Sequence, residues 1–100
     1  MIVVSGTITI DPSNADRCEE LTAVLVAATR QEPGNLAYEY TRSHTDPGTW
    51  RVFEEWQDEA ALNEHMASPH MAEFMGAAAE LGITGVDIQR YDVAEKSKLM

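Results

Sequence analysis

In the segment WRVFEEWQDEAALNEHMASPH, residues 50–70, one carboxylate and two imidazoles lie among aromatic and aliphatic side chains. Residues 50–56 alternate as a strand does, so Trp50, Val52, Glu54 and Trp56 share one face and Arg51, Phe53 and Glu55 the other. Glu54 therefore sits among the bulkiest apolar groups of that strand. A carboxylate there must find a partner or take up a proton, because burying an unpaired charge is costly. It either orients a histidine or pairs with Arg42 or Arg51 across a hairpin, a pair that would fix register more than it would stabilise. His65 follows on a helix, on the same side as Ala61, Leu62 and Met66. An imidazole titrates near neutrality, so an inward-facing one is a candidate proton acceptor or hydrogen-bonder to a phenolate; a satisfied core histidine is the competing reading. His70 opens the next helix, where the positive end of the dipole favours a neutral ring, and an exposed surface position is its alternative.

These groups do not form a recognisable metal motif. His65 and His70 are five residues apart with Pro69 between them, which is not the i, i+4 spacing of a helical zinc pair, and His44 lies on another strand. No metal site is expected. Cys18 is the only cysteine, with no base beside it in sequence; it reads as a small apolar helix residue in a reducing compartment rather than a nucleophile. No Gly-rich phosphate loop is present.

Several elements must position the segment. Residues 2–10, IVVSGTITI, are β-branched and alternating, a strand. Asp11-Pro12-Ser13-Asn14 offers two N-caps and a helix-initiating proline, and residues 15–31 carry Cys18, Leu21, Leu25 and Ala28 at helical spacing. Glu32-Pro33-Gly34-Asn35 stops that helix. Residues 36–44 read as a second strand, with Leu36, Tyr38, Tyr40, Arg42 and His44 on one face. Asp46-Pro47-Gly48-Thr49 then reads as a type II turn leading into the strand at 50–56. Asp58 caps a short helix, and Ser68-Pro69 caps a further one bearing Met71, Phe74, Met75 and Ala78 and ending at Gly82. Val86, Ile88, Tyr91 and Val93 mark a fourth strand within 84–93. The order β-α-β-β-α(α)-β predicts an α+β, ferredoxin-like split sheet with its helices on one face, in one domain over residues 1–93 with a charged tail at 94–100. Apolar groups left on the uncovered face predict a homodimer through sheet-to-sheet packing.

Composition narrows the function classes. A net charge of −10 over 100 residues disfavours nucleic acid and anionic membrane surfaces. No run reaches membrane-spanning length, the N-terminus lacks the basic region of a signal peptide, and Ser97-Lys98-Leu99 is followed by Met100, so it is no terminal peroxisomal address. A cytoplasmic location is expected.

The run EPGNLAYEYTRSHTDPGTWRVFEEWQDEAALNEHMASPHMAEF, residues 32–74, resembles the antibiotic biosynthesis monooxygenase domain, including bacterial quinol monooxygenases. The resemblance rests on the Pro-Gly before the second strand, Tyr38-Glu39, the Glu54-x-Trp56 pair, Ala61-Leu62 with His65, and Ser68-Pro69-His70 with Phe74. It implies a dimeric α/β barrel with a pocket between sheet and helices. It also implies oxidation of quinols, anthrones or other electron-rich polyphenols by dioxygen with no flavin, haem or metal cofactor. The haem-degrading relatives use an Asn on the first strand, a Trp where His65 stands and a histidine near Met75; Ser5, Gly6, Thr7, His65 and Met75 here depart from all three. Such chemistry needs a flat apolar cavity, a group that takes or orients a phenolic proton, and a dry place for electron transfer to oxygen. On this reading His65 and Glu54 are the catalytic pair, facing a hollow wide enough for a small aromatic substrate. Trp56, Trp50, Tyr38, Tyr40, His70, Met71, Phe74 and Met75 bind that substrate, although each is also an ordinary core residue by type. An isomerase or other proton-transfer enzyme, or a non-catalytic ligand-binding module, would use the same pocket.

Overall fold

The strands and helices fall where the two hydrophobic periods place them. A computed structural model describes residues 1–100, with β1 (Ile2–Ile10), α1 (Ala15–Thr29), β2 (Asn35–Arg42), β3 (Thr49–Trp56), α2 (Glu59–Met66), α3 (Pro69–Ala78) and β4 (Ile83–Asp92). The sheet is antiparallel in the order β2-β3-β1-β4, with β1 and β3 central. This is the expected α+β, ferredoxin-like arrangement. No helix is long and apolar enough to cross a membrane.

Capping sets the helix starts. The Asp58 carboxylate accepts from the Ala61 amide at 2.9 Å and the Ser68 hydroxyl from the Met71 amide at 3.3 Å, each satisfying a donor that the first turn leaves free. Pro69 takes the first helical position of α3, where its missing N–H costs nothing. Because Ser68 is extended, the chain bends sharply between α2 and α3. Gly34 and Gly82 both have positive φ, as the chain reversals after α1 and before β4 require.

The hairpin turn before β3 is not type II. Gly48 lacks the positive φ that type II demands. Instead, Asp46 organises it: its carboxylate accepts from the Gly48 amide and from the Thr49 hydroxyl, the latter at 2.7 Å. Glycine is needed there for space, since a Cβ would lie 2.6 Å from the carbonyl oxygen of Ile10.

The core lies between the even-numbered face of the sheet and the helices. Ile2, Ile8, Ile10, Tyr38, Trp50, Val52 and Trp56 meet Cys18, Leu25, Ala61, Leu62, Phe74 and Leu81 there. The helices do not reach the far edge of the sheet. Every residue of β4 is exposed, including Val86 and Ile88 on the helix-facing side and Tyr91 on the other. The opposite face of the three remaining strands is mostly polar, with Ser5, Thr7, Thr9, Glu39, Thr41, Arg51 and Glu55 around Val3 and Phe53. The uncovered apolar groups are therefore concentrated at the β4 edge rather than spread over the sheet. Met66 also departs from its expected inward position and is exposed at the end of α2.

Candidate active site: two carboxylates and an aromatic stack

His65 is only 1% exposed and packs between two aromatic rings. Its ring centroid lies 4.8 Å from that of Trp56 and 5.1 Å from that of Tyr38. The strand pairing accounts for this, because Tyr38 on β2 lies directly across from Glu54 on β3, and Trp56 follows two residues along the same face. α2 then lowers His65 onto the pair from above.

The imidazole is anchored by a residue that sequence reasoning had read only as a helix stop. Glu32, in the turn after α1, places Oε2 2.7 Å from His65 Nδ1 and 2.8 Å from His70 Nε2. The α2–α3 bend brings His70 round to the same oxygen, although the two histidines do not share a helix face. An ionised carboxylate only accepts, so both ring nitrogens facing it carry hydrogen. When the His65 ring is neutral, Nε2 is then its acceptor nitrogen, and that atom is buried without a hydrogen-bond partner. One local signal pointed to Glu32: an acid just beyond a helix C-terminus is disfavoured by the dipole and calls for another reason to be there.

Glu54 does not pair with Arg42 or Arg51. Its Oε1 accepts the Trp56 indole N–H at 2.8 Å, and it forms no salt bridge. Burial pushes its carboxyl up to about 7; the indole hydrogen bond opposes that rise and the negative charge of Glu32 adds to it. Near neutrality a large share of Glu54 is therefore protonated. Burial, together with Tyr40 and Glu54, holds the Tyr38 phenol far above the usual range, so it stays a neutral hydroxyl, and it too is buried without a partner. Cys18 is fully buried and its thiol is pushed up to about 11 by desolvation, which leaves it unreactive.

The aromatic wall is only partly as expected. Tyr40 touches Tyr38 and Phe74, each at a centroid distance of 5.9 Å, and Met71 packs against the same cluster. Met75 does not join them; it is 60% exposed on the outer side of α3. Trp50 is buried at the other end of β3, where it lines a groove of about 500 Å³ between α1 and β2 with Tyr40, Val26, Arg30 and Arg42. A crevice of about 160 Å³ between α1 and α3 reaches His70 and Phe74. Neither hollow is lined by Glu54, Trp56 or His65. The space beside His65 is taken up by the Tyr38 and Trp56 rings, so a planar guest there requires those rings, or Tyr40 and Phe74 outside them, to swing aside.

Comparison with known proteins follows the same outline. The family model for antibiotic biosynthesis monooxygenase matches residues 1–77. Protein sll1783 of Synechocystis, which is uncharacterized, is 30% identical over 98 residues, covering 98% of this chain and 67% of that protein. A crystal structure from Deinococcus radiodurans superposes with a TM-score of 0.91 at 28% identity, covering 100% of this chain and 99% of the other. A crystal structure of an antibiotic biosynthesis monooxygenase superposes with a TM-score of 0.86 at 32% identity, covering 95% of this chain and all of the other.

Proposed function

Because this chain belongs to the antibiotic biosynthesis monooxygenase family, we propose that it oxidises an electron-rich polyphenol, such as a quinol or an anthrone, with dioxygen and without a cofactor. The observation that carries this reading is His65, whose Nδ1 is fixed on Glu32 while its buried Nε2 is left free to accept a proton. This is the carboxylate–imidazole arrangement that turns a histidine into an oriented base. In the proposed reaction Nε2 takes the acidic proton of the substrate. The resulting anion gives an electron to dioxygen, the radical pair joins at carbon, and loss of water leaves a carbonyl. For an anthrone the balance is one methylene plus one dioxygen to one ketone plus one water, so the substrate supplies both electrons. The protonated share of Glu54, large near neutrality because of burial, donates to the oxygen on which negative charge develops. Trp56, Tyr38, Tyr40 and Phe74 exclude water from the anion.

The reading also takes the protein to be a homodimer, supported by the exposed Val86, Ile88 and Tyr91 of β4, whose area a second copy would cover. Light scattering at micromolar concentration tests it, and a monomer would remove this part of the reading.

The decisive assay is oxygen uptake by chelator-treated protein with anthrone and quinol substrates. His65→Ala is expected to lower turnover by about a hundredfold or more. Equal turnover in wild type and variant would take His65 out of the mechanism, and conversion under anaerobic conditions would point to an isomerase instead. One observation favours a non-catalytic module, namely the close packing of Tyr38, His65 and Trp56. That reading predicts no oxygen consumed with any of these substrates, whether or not the anthrone binds in a neighbouring groove.

A further inference from the structure

We propose that Glu32, His65 and His70 form a binding site for a divalent transition-metal ion of the zinc, cobalt or nickel class, and that the ion, when bound, disables His65 as a base. Each residue offers one ligand atom, and the three atoms lie within 4.8 Å of one another. Two imidazoles and a carboxylate are a donor set that these ions favour. Around an ion with bonds of about 2.1 Å, tetrahedral ligand atoms are roughly 3.4 Å apart. The present separations of 2.7 and 2.8 Å to the shared Glu32 oxygen are somewhat shorter. Binding therefore asks for side-chain shifts of about an ångström or less, with no change of fold.

Three further features support the assignment. The ligands come from three different elements, the turn after α1, α2 and α3, whose mutual packing fixes them. Glu32 is 14% exposed and His70 21%, so an ion has a way in from solvent, whereas His65 closes the inner side at 1%. Glu32 is hydrogen-bonded to these two histidines and lies against no lysine or arginine, so no fixed cation already occupies its charge.

The consequence for His65 follows from its tautomers. Coordination through Nδ1 displaces that hydrogen to Nε2, which then points a donor into the aromatic stack and has no lone pair left for a substrate proton. Occupancy of the site and base catalysis by His65 therefore exclude each other. The binding claim stands without the oxygenase reading; the inhibition claim rests on it.

The test strips the protein with a chelator and titrates it with Co²⁺, followed by visible absorption, and with Zn²⁺, followed by calorimetry, in the absence of any substrate. One ion per chain is expected, with affinity lowered about tenfold or more in both Glu32→Gln and His70→Gln and unchanged in His44→Gln, on the distant hairpin. In wild type, Zn²⁺ should also move the His65 Nδ1 nitrogen resonance, a readout that does not depend on how well any variant folds. No saturable binding, binding indifferent to both substitutions, or a His65 Nδ1 resonance that stays in place under saturating Zn²⁺ would overturn the proposal. The oxygen-uptake assay on chelator-treated protein remains a separate result, so either reading can fail while the other stands.

Discussion

Glu32 and Glu54 touch the same aromatic stack, Glu32 through His65 and Glu54 through the indole of Trp56, yet their surroundings treat them differently. Glu32 lies in a turn, partly open to solvent, and accepts two hydrogen bonds from imidazoles. Glu54 lies mid-strand under the helices, 7% exposed, with a single indole donor, and its carboxyl is raised to about 7. Donor count and burial separate the two more than residue type does. The difference teaches how one small core can hold a hydrogen-bond acceptor and a largely protonated acid of the same chemical kind, since environments that differ in this way move the protonation of like groups apart. The two are also coupled: the charge on Glu32 is one of the influences that keep the proton on Glu54.

The comparison breaks most visibly at Glu54. Its pKa is raised from 4.5 to about 7, so the folded chain holds a proton that the unfolded chain releases between those values. The stability this group contributes is complete below about pH 4.5 and is lost as the pH rises through about 7. The loss amounts to about 3 kcal/mol at about 1.4 kcal/mol per pKa unit. Glu54→Gln cannot titrate, so its stability relative to wild type is expected to grow by that amount between pH 4.5 and 8. Urea unfolding of both proteins across that range measures the difference. Parallel curves would mean that Glu54 is ionised in the folded protein at neutral pH, and the contrast with Glu32 would disappear.

Glu32→Gln addresses the other half. The amide is nearly isosteric but neutral, and it no longer insists on hydrogen at His65 Nδ1, because its NH₂ group can face the ring as a donor. Turnover in the oxygen-uptake assay is expected to fall about tenfold to a hundredfold, with partial recovery in Glu32→Asp. A positioning role also predicts a changed pH–rate profile in Glu32→Gln, which mere loosening of the turn would not produce. Equal profiles with equal turnover would leave Glu32 as a structural contact only.

The same pair marks how far the sequence could be read. Glu54 was legible because its environment is made by residues two positions away on its own strand, so period-2 alternation alone places it beside Trp56 and Val52. The element order, the caps at Asp58 and Ser68, and the inward face of His65 were legible for the same reason, being local. Glu32 and His65 are separated by 33 residues, and only the packing of α2 against the turn after α1 brings them together. The hairpin was placed correctly with the wrong turn type, because Asp46 side-chain bonds and the nearness of Ile10, not a positive φ, are what call for glycine at position 48. Met75 was misplaced because a helical repeat of 3 and 4 fits a wider stripe than α1 and the sheet actually cover.

The smallest expected effect, and the finest test of the contrast, is Trp56→Phe. The indole N–H is the only hydrogen-bond donor on Glu54, at 2.8 Å, and it favours the ionised form. Removing it leaves burial and the charge of Glu32 unopposed, so the Glu54 midpoint should move upward from about 7. The substitution also leaves a void in the core, which lowers stability at every pH and makes unfolding a poor readout. The carboxyl carbon resonance of Glu54, followed by NMR through the titration, reports the midpoint without that confusion. In Glu32→Gln the same resonance should move the other way, because the neighbouring negative charge is gone. Opposite shifts in the two variants would establish that one donor and one distant charge adjust, in opposite directions, the protonation that burial imposes on this acid. A midpoint that stays in place in both would mean that burial alone does so, and the coupling between the two carboxylates would have no role in the site.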